Sequence, residues 1–430
     1  MRALLPVKRE EAVAVMLSFA YFFCLLCSYY MLRPVREEMG IQGGVRNLQW
    51  LFTGTFFTML AAVPLFGRIA SRWPRRTMLP AVYLFFSANL IVFFVLMKAA
   101  VHPATVARVF FVWLSVFILF VVSVFWSLMA DIFSNEQARR LFGLIAAGGS
   151  AGAIVGPAVT AVMVTAIGIP NLLLGSAVLL SLAVVFIMAL TRWAQRHTRE
   201  GEASQGPPLG GSIWAGVRLT LSSSYLGSIG LLILLLAVLN TFVYFEQARV
   251  VAAAFSSPEQ RTQLFAQMDL AVSVLTLFTQ AVLTNVLIAR FGVGGLLSGL
   301  LLLNVGGFAA LGMAPVLSAL VVFQVLRRAS DYAIIRPVRE ILFTVVSREE
   351  KYKAKNFIDT VIFRGGDAAA GWLDSAIQAL GATTGHVALL ATPLAGLAAG
   401  VAWRLGQKQE ALRRSSAAPQ AVGLKREAAD

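Results

Sequence analysis

The pentapeptide RPVRE occurs twice in this sequence, at residues 33–37 and at residues 336–340. Both copies lie in or beside long apolar stretches. A charged residue there costs about 2.5–3.5 kcal/mol on insertion scales, so it persists only where it faces protein or water. Guanidinium groups are planar, permanently charged and bidentate toward phosphate. We therefore expect the fold to bring the two copies together around an anion.

The spacing of residues around each copy suggests how such an anion is bound. Arg33 and Arg36 are three positions apart and share one face of a helix, which Pro34 can break between them. The polar residues from Arg328 to Arg339 follow helical spacing along one stripe. The candidate substrate-binding residues are Arg33, Arg36, Tyr332, Arg336 and Arg339. The candidate charge partners are Glu37, Asp331, Glu340, Asp359, Arg364 and Asp367.

The same residues have a second interpretation that needs no ligand. The acids can pair with the arginines in a network that locks two halves of the protein, and Arg33 and Arg36 can extend to the membrane surface. Residues 326–346 contain four arginines and two acids, and this cationic excess favours anion binding. The aromatic residues available to stack on a base or on a guanidinium plane are Tyr29, Tyr30, Tyr332 and Phe363.

The composition indicates a polytopic membrane protein. The chain has 430 residues, of which 58% are hydrophobic and 13% charged, and its mean hydropathy is +0.77. No soluble core of this size needs so much apolar surface. In a soluble protein the net charge of +15 would suggest nucleic acid, but here it fits Lys and Arg in cytoplasmic loops, so no nucleic-acid partner is expected.

Apolar runs of about 20 residues predict an all-α membrane protein with twelve transmembrane helices in two six-helix bundles. The predicted helices lie near residues 12–32, 48–67, 77–97, 106–130, 142–167, 169–191, 225–245, 266–289, 293–314, 316–346, 357–381 and 386–404. The predicted N-terminal bundle covers residues 1–192, followed by a cytoplasmic linker at 193–224, a C-terminal bundle at 225–404 and a flexible cytoplasmic tail at 405–430. With both termini cytoplasmic, two thirds of the 36 Lys and Arg residues fall on the cytoplasmic side. We expect a substrate site near the midplane between the bundles.

The loop after the second predicted helix reads GRIASRWPRRTML. It resembles the loop signature of the major facilitator superfamily, in which Gly, an acid and basic residues latch helices on the cytoplasmic side. Ser71 stands where that acid is expected, so Asp131 is a candidate replacement. The candidate latch residues are Gly67, Arg72, Arg75, Arg76 and Asp131. The alternative is that the arginines only follow the positive-inside rule.

Two further patterns concern packing and internal symmetry. The segment GGSAGAIVGP contains Gly152 and Gly156 at four-residue spacing, which favours close helix packing and also resembles a helix-five motif of facilitator antiporters. Ser134 and Ser347 stand at corresponding places in the two halves. Each is followed by acidic residues, then basic residues, then an apolar helix with a Gly pair, as expected for two related bundles.

Three stretches are similar to the nucleotide transporter family, the ATP/ADP exchangers of intracellular bacteria and plastids and their bacterial relatives. They read YYMLRPVREEMG, FWSLMADIFSNEQARRLFGLIAAGG and RRASDYAIIRPVREILFTVVSREEKYKAKNFIDTV. By position, Arg36 and Arg339 stand where that family has its two transport lysines, and Glu37 and Glu340 match the acids that follow. Lys and Arg are not equivalent at a phosphate site, so a phosphorylated or otherwise anionic solute is the inference we carry forward.

These observations predict a monomeric transporter in a bacterial inner membrane that moves a nucleotide-like anion by alternating access, with exchange implied by the resemblance. The first alternative is a proton-coupled permease for another organic anion or an amphipathic lipid, with Asp331, Asp359 or Asp367 titrating. The second is a non-transporting scaffold. No phosphate-loop motif is present, and Cys24 and Cys27 lie in an apolar helix, so we expect no enzyme activity, cofactor or metal.

Overall fold

The structure is a computed structural model that describes residues 7–72, 75–197 and 213–427. Within these ranges the chain is helical and contains no strand, which confirms the all-α membrane class. Among the described residues, ten helices are long and apolar enough to cross a membrane. The predicted segments at 316–346 and 357–381 are not among these ten; both are charged and interrupted.

Helices of the first half follow one another closely. They are α1 (Ala12–Gln42), α2 (Leu48–Arg72), α3 (Arg75–Lys98), α4 (Pro103–Ile132), α5 (Asn135–Ile167) and α6 (Ile169–His197). Ser134 begins α5 with a capping box, because its hydroxyl accepts from the amide of Gln137 while the Gln137 side chain accepts from the amide of Ser134. The helix that was expected to break at Pro34 continues through it to Gln42. Neighbouring helices tolerate such a proline within a membrane span.

Helices of the second half are α7 (Ile213–Ser222), α8 (Ser224–Ala254), α9 (Pro258–Val282), α10 (Thr284–Met313), α11 (Leu317–Ser330), α12 (Arg336–Leu342), α13 (Arg348–Phe357), α14 (Phe363–Ala379) and α15 (Thr384–Glu427). The predicted helices at 266–289 and 293–314 were placed too late. Pro258 and Ser257 begin α9 earlier, because proline suits the first turn and the serine hydroxyl accepts from an amide. The break expected near residue 291 is a kink inside α10 at Gly292, where φ is +65°.

The long charged helix expected at 316–346 is divided into two α-helices and two tighter or wider helical turns. A π-helical turn at Asp331–Ile335 separates α11 from α12, and a 3₁₀ turn at Phe343–Val345 ends α12. A second π turn, Ile358–Ile362, separates α13 from α14. A π turn carries an extra residue per turn and is frequent at functional sites. Both π turns contain a candidate charge partner, Asp331 in one and Asp359 in the other.

The chain divides into two compact units. The first comprises Met1–Gly206 with Val251–Val274, and the second comprises Pro207–Val250 with Leu275–Asp430. The predicted boundaries of bundles, linker and tail stay a prediction, since residues 198–212 of the linker and residues 428–430 of the tail lie outside the described residues.

Close packing of α1 against α5 organises the first unit. A Cβ atom added to Gly152 would lie 2.6 Å from the carbonyl oxygen of Phe23, and one added to Gly156 would lie 2.7 Å from that of Cys27. Distances this short are repulsive, so only glycine permits the approach. Cys24 and Cys27 are buried in α1 as free thiols within this core. The packing interpretation of the glycine segment is confirmed.

Candidate functional site

The first RPVRE copy lies near the C-terminal end of α1. The Arg36 guanidinium lies over the ring of Phe111 in α4, 3.7 Å from its centroid, and its Nε donates to the Phe111 carbonyl oxygen at 3.3 Å. Its Nη1 lies 3.4 Å from a carboxylate oxygen of Glu37. The other Glu37 oxygen is buried without a hydrogen-bond partner among the described residues. Arg36 is therefore held by the ring of Phe111 and by a weak contact with the adjacent Glu37.

Arg33 pairs with a residue that sequence reasoning did not single out. Its Nη1 lies 3.8 Å from Oδ1 of Asp269 in α9, and Asp269 is buried. The Arg33 guanidinium also lies 5.9 Å from the ring centroid of Tyr30. Asp269 was missed because it is far from Arg33 in the sequence, and no spacing rule connects the two residues.

A bidentate ion pair in the first unit was also missed. Glu38 is fully buried directly after the first RPVRE copy, and its carboxylate accepts two hydrogen bonds of 2.7 Å from Nε and Nη2 of Arg261. Arg261 also donates to the carbonyl oxygen of Phe255 at 2.8 Å. This bidentate geometry is the strong form of an arginine–carboxylate contact. Its sequence signal was the double acid of RPVREE; Arg261, however, was assigned to a loop.

The second RPVRE copy starts at the end of a π turn. Arg336 Nε donates to Asp331 at 3.1 Å, across five residues, and the Arg336 guanidinium lies 4.3 Å from the ring centroid of Tyr332. The Arg336 side chain is 58% exposed. The structure thus brings these three predicted residues together, but through π-helical rather than α-helical spacing.

The remaining candidates of the second unit form separate pairs. Arg339 Nη2 lies 3.4 Å from Asp359 in the second π turn, while its Nε is buried without a hydrogen-bond partner among the described residues. Glu340 accepts from Lys355 on α13, at 2.6 and 2.8 Å, rather than from an arginine of its own stripe. The other pair is Arg364 with Asp367, at 3.6 Å on α14.

A polar network joins α8 to α11 close to these residues. Arg327 donates to Asn240 and to Oε1 of Gln324, and Gln324 donates to Gln247 at 2.7 Å. Gln324 and Gln247 are buried. Sequence reasoning noted Arg327 as a charge at membrane depth but did not find its amide partners, because amides give no charge signal.

A second buried cluster joins α8 to α14. Arg249 donates to both oxygens of Asp374, at 2.9 and 3.1 Å, and to Oε2 of Glu246 at 3.0 Å. Gln378 also donates to Asp374, at 2.7 Å. Glu246 and Asp374 are 2% and 1% exposed. Both acids lie next to or inside apolar runs, which was a usable sequence signal. The cluster was missed because residues 246–265, which include Glu246 and Arg249, were assigned to a loop.

The proposed cytoplasmic latch stays a prediction. The side chains of Arg72, Arg75 and Arg76 lie outside the described residues, whereas Gly67 lies in α2. Asp131 is exposed next to the last residue of α4.

An ion pair that does form near the start of α5 was missed. Arg140 donates to both oxygens of Glu11, at 2.7 and 3.1 Å, and Gln137 donates to Glu11 at 3.0 Å. Burial alone would raise the pKa of Glu11, but these hydrogen bonds, with that from the Lys8 amide, lower the pKa to about 2. Glu11 was missed because it was counted only as part of the charged N-terminus.

A cavity of about 720 Å³ lies elsewhere in the second unit, along α10 and α15. Its lining includes Gly292, Trp403, Gln407, Arg413 and Arg414, and no candidate substrate-binding residue. We place the candidate substrate site at the charged residues near the π turns instead. The charged residues that line this cavity belong to the C-terminal half of α15, and none of them is buried.

Long apolar helices that enclose buried arginines and acids define a multi-pass membrane transporter. The sequence matches the Major Facilitator Superfamily over residues 13–331, and the chain belongs to that superfamily. A search of curated proteins gave no significant match.

Solved structures of other transporters share this fold. The nucleoside transporter NupG is 14% identical, with a TM-score of 0.62 over 94% of this chain and 99% of that chain. The POT family transporter PepTSo is 13% identical, with a TM-score of 0.65 over 92% of this chain and 98% of that chain. A bacterial homologue of the lysosomal transporter Spinster is 14% identical, with a TM-score of 0.59 over 94% and 99%. Similarity at this level shows the fold alone.

Proposed function

We propose that this transporter moves a nucleotide-like phosphorylated anion across a bacterial inner membrane by alternating access, as a monomer with both termini in the cytoplasm. Exchange of one anion for another is the mode that the resemblance to ATP/ADP exchangers suggests. The observation that carries the proposal is Arg339. This guanidinium sits beside a π turn, faces one carboxylate at 3.4 Å and retains a buried Nε without a partner among the described residues.

A phosphate group supplies what Arg339 lacks. A guanidinium offers five N–H donors in a fixed fork, and its preferred partners are planar or tetrahedral oxyanions that accept two hydrogen bonds at once. Asp359 accepts from one end of the fork. An anion that accepts from Nε and a second nitrogen would satisfy the buried donor, whose isolation otherwise costs about 1–3 kcal/mol.

Aromatic neighbours support a substrate with both charge and a flat ring. Arg336 lies over Tyr332 and Arg36 lies over Phe111, so each of these arginines is held against a π face that also suits a base. By the resemblance, Arg36 in the first unit and Arg339 in the second stand where the nucleotide transporter family has its two transport lysines. We therefore assign phosphate binding to both of them.

Thermal stabilisation of the detergent-purified protein tests the proposal. A ligand that binds only the folded state adds about 2.7 kcal/mol at about 100 times its Kd. We expect ATP or ADP to raise the melting temperature, and Arg36→Ala or Arg339→Ala to abolish both the rise and nucleotide uptake into proteoliposomes. Arg46→Ala and Arg290→Ala, which remove exposed arginines outside the candidate site, are the matched controls.

Lysine variants refine the same test. Arg36→Lys and Arg339→Lys restore the residue type of the resembling family, so we expect them to keep nucleotide uptake that the alanine variants lose. Wild-type uptake by Arg36→Ala or Arg339→Ala would remove that residue from the mechanism. Stabilisation by citrate or sugar phosphates without any response to nucleotides would move the substrate class away from nucleotides.

A proton-coupled permease for another organic anion is the second candidate. The observation that favours it is that Arg336, Arg339 and Arg364 each pair with an acid, at 3.1, 3.4 and 3.6 Å, so that part of the cationic excess is neutralised within the second unit. Under this alternative Asp331, Asp359 or Asp367 titrates during transport. Uptake of the preferred anion that does not change when a pH gradient is imposed would contradict it.

A further inference from the structure

We infer that Glu246 is a proton-binding site, in which the cluster of Glu246, Arg249 and Asp374 takes up one proton from water. The two carboxylates and one guanidinium carry a net charge of −1 when all are ionised. Glu246 and Asp374 are 2% and 1% exposed, so this charge lies inside the protein. A buried, uncompensated charge is costly, and one added positive charge removes it.

The hydrogen bonds decide which carboxylate takes the proton. Asp374 accepts three hydrogen bonds, two from Arg249 and one from Gln378. Glu246 accepts one, from Arg249 to its Oε2, and its Oε1 is buried with no hydrogen-bond partner among the described residues. Hydrogen bonds to a carboxylate favour its charged form. The proton therefore forms its bond with Oε1 of Glu246, the oxygen without a partner, and converts that carboxylate to a neutral acid.

A proton fits this site better than a metal ion. Hard metal cations bind through six or more oxygen ligands or through several ligands and waters. In this cluster Oε1 of Glu246 is the oxygen without a hydrogen-bonded partner, and the described residues contain no group of three or more His, Cys, Asp or Glu side chains that could hold a metal ion. A proton needs one such oxygen.

The charged and polar groups around Glu246 belong to α8, α14 and α11. Arg249 faces it from its own helix, and Asp374, held by Gln378, belongs to the cluster from α14. The adjacent residue Gln247 accepts from Gln324 of α11, which in turn binds Arg327. Arg327 lies four residues before Asp331, where the first π turn begins. This network connects the position next to the proton site to the segment that precedes the candidate substrate residues.

Infrared difference spectroscopy of the detergent-purified protein tests the proton site without any substrate. We expect wild-type protein at near-neutral pH, where exposed carboxyl groups are ionised, to show the carbonyl band of a protonated carboxyl group that disappears at alkaline pH. Glu246→Gln should abolish this band, and Glu246→Asp should shift its frequency. Asp374→Glu, which keeps the cluster's charge, and Glu10→Gln, which removes an exposed carboxylate, should leave the band in place.

The opposite pattern would overturn the inference. A band that persists in Glu246→Gln, or that shifts in Asp374→Glu and not in Glu246→Asp, assigns the proton elsewhere. Loss of the wild-type band on adding Na⁺ at constant pH assigns the site to a metal cation. If Glu246→Gln does not elute as a monodisperse peak in gel filtration, the band shift in Glu246→Asp decides the question, and an unshifted band refutes the site.

The coupling of this proton to transport rests on the proposed function, and a separate measurement tests it. In proteoliposomes we expect an imposed pH gradient to accelerate wild-type ATP uptake and to have no effect on Glu246→Gln. ATP uptake that ignores the gradient in wild-type protein refutes coupling. Wild-type protein that moves no ATP but shows the infrared band refutes the nucleotide function while it supports the proton site.

Discussion

The two copies of RPVRE are identical in sequence and different in structure. In the first unit the pentapeptide continues an unbroken α1, Pro34 is buried inside the helix, and Arg33 and Arg36 are 16% and 18% exposed. In the second unit a π turn precedes the pentapeptide, proline lies in the first turn of a short helix, and Arg336 is 58% exposed. Five residues do not determine their own conformation. The preceding turn and the packing around them do.

The contrast also separates two uses of charge. Directly after the first copy, Glu38 forms a buried bidentate pair with Arg261. The acid that ends the second copy, Glu340, pairs with Lys355 on side chains that are 47% and 30% exposed. The first unit therefore uses the acid next to its pentapeptide for a buried structural pair, whereas the second keeps the acid that ends its pentapeptide accessible.

The largest expected effect on stability comes from removing the acid of the buried pair, Glu38, compared with removing the acid of the exposed pair, Glu340. Glu38→Gln leaves Arg261 without its bidentate partner, and removing one member of a buried pair costs about 3–5 kcal/mol. Glu340→Gln removes an exposed pair and should cost at most about 1 kcal/mol. Thermal unfolding of the two purified variants measures both values. Equal destabilisation would show that burial does not distinguish the two acids.

The next largest effect on the free energy of unfolding concerns Pro34 and Pro337, the prolines of the two copies. Proline in a helix interior costs about 3 kcal/mol relative to alanine, but proline in a first turn costs little. We expect Pro34→Ala to raise the free energy of unfolding by up to about 2 kcal/mol, after the loss of its buried ring, and Pro337→Ala to change it little. A stabilised Pro337→Ala protein with an unchanged Pro34→Ala protein would reverse the comparison of the two copies.

Acid should weaken the first unit through Glu11. The pKa of this carboxyl is about 2 when folded and 4.5 ordinarily, so its stabilising contribution is fully present above 4.5 and is lost as the pH falls toward 2. Glu11→Gln removes this contribution at neutral pH and should flatten that part of the stability profile. Melting temperatures of both proteins measured across this range provide the check. Parallel profiles would exclude Glu11 as the titrating group.

The smallest effect concerns the two capping boxes. Ser134 begins α5 and Ser347 begins α13 with the same reciprocal hydrogen bonds. Replacing either serine with alanine should cost about 1 kcal/mol. We expect Ser134→Ala to cost more, because its box partner Gln137 also donates to Glu11. Hydrogen exchange at the first turns of the two helices compares these costs directly, and a larger loss of protection in Ser347→Ala would contradict this ranking.

Much of the fold could be predicted from local sequence. Apolar runs predicted α1 to α6 as separate membrane helices. Ser134 and Ser347 were recognised only as corresponding positions of the two halves, and their capping boxes place the starts of α5 and α13 before the predicted helices at 142–167 and 357–381. These features depend on neighbours along the chain, where composition and spacing carry the signal.

The candidate site was less predictable because its contacts join distant parts of the chain. Glu38 and Arg261 are separated by 223 residues, and no spacing rule connects them. The π turn at Asp331–Ile335 likewise follows from packing, since an α-helical period gives no warning of an extra residue. The pairing of Asp331 with Arg336 depends on that turn and could not be inferred from α-helical spacing.

Gly152 and Gly156 of α5 limit the mutations that the contact between α1 and α5 can accept. At Gly152 and Gly156 an added Cβ atom would meet the backbone of α1, which cannot move aside as a side chain can. Every glycine codon begins with two guanines, and every single-nucleotide change that replaces the amino acid introduces a side chain. No one-step missense mutation at these two codons can preserve the contact between α1 and α5. The helix that carries Arg33 and Arg36 thus packs against two positions at which any single-nucleotide replacement of glycine forces the backbones of α1 and α5 to shift.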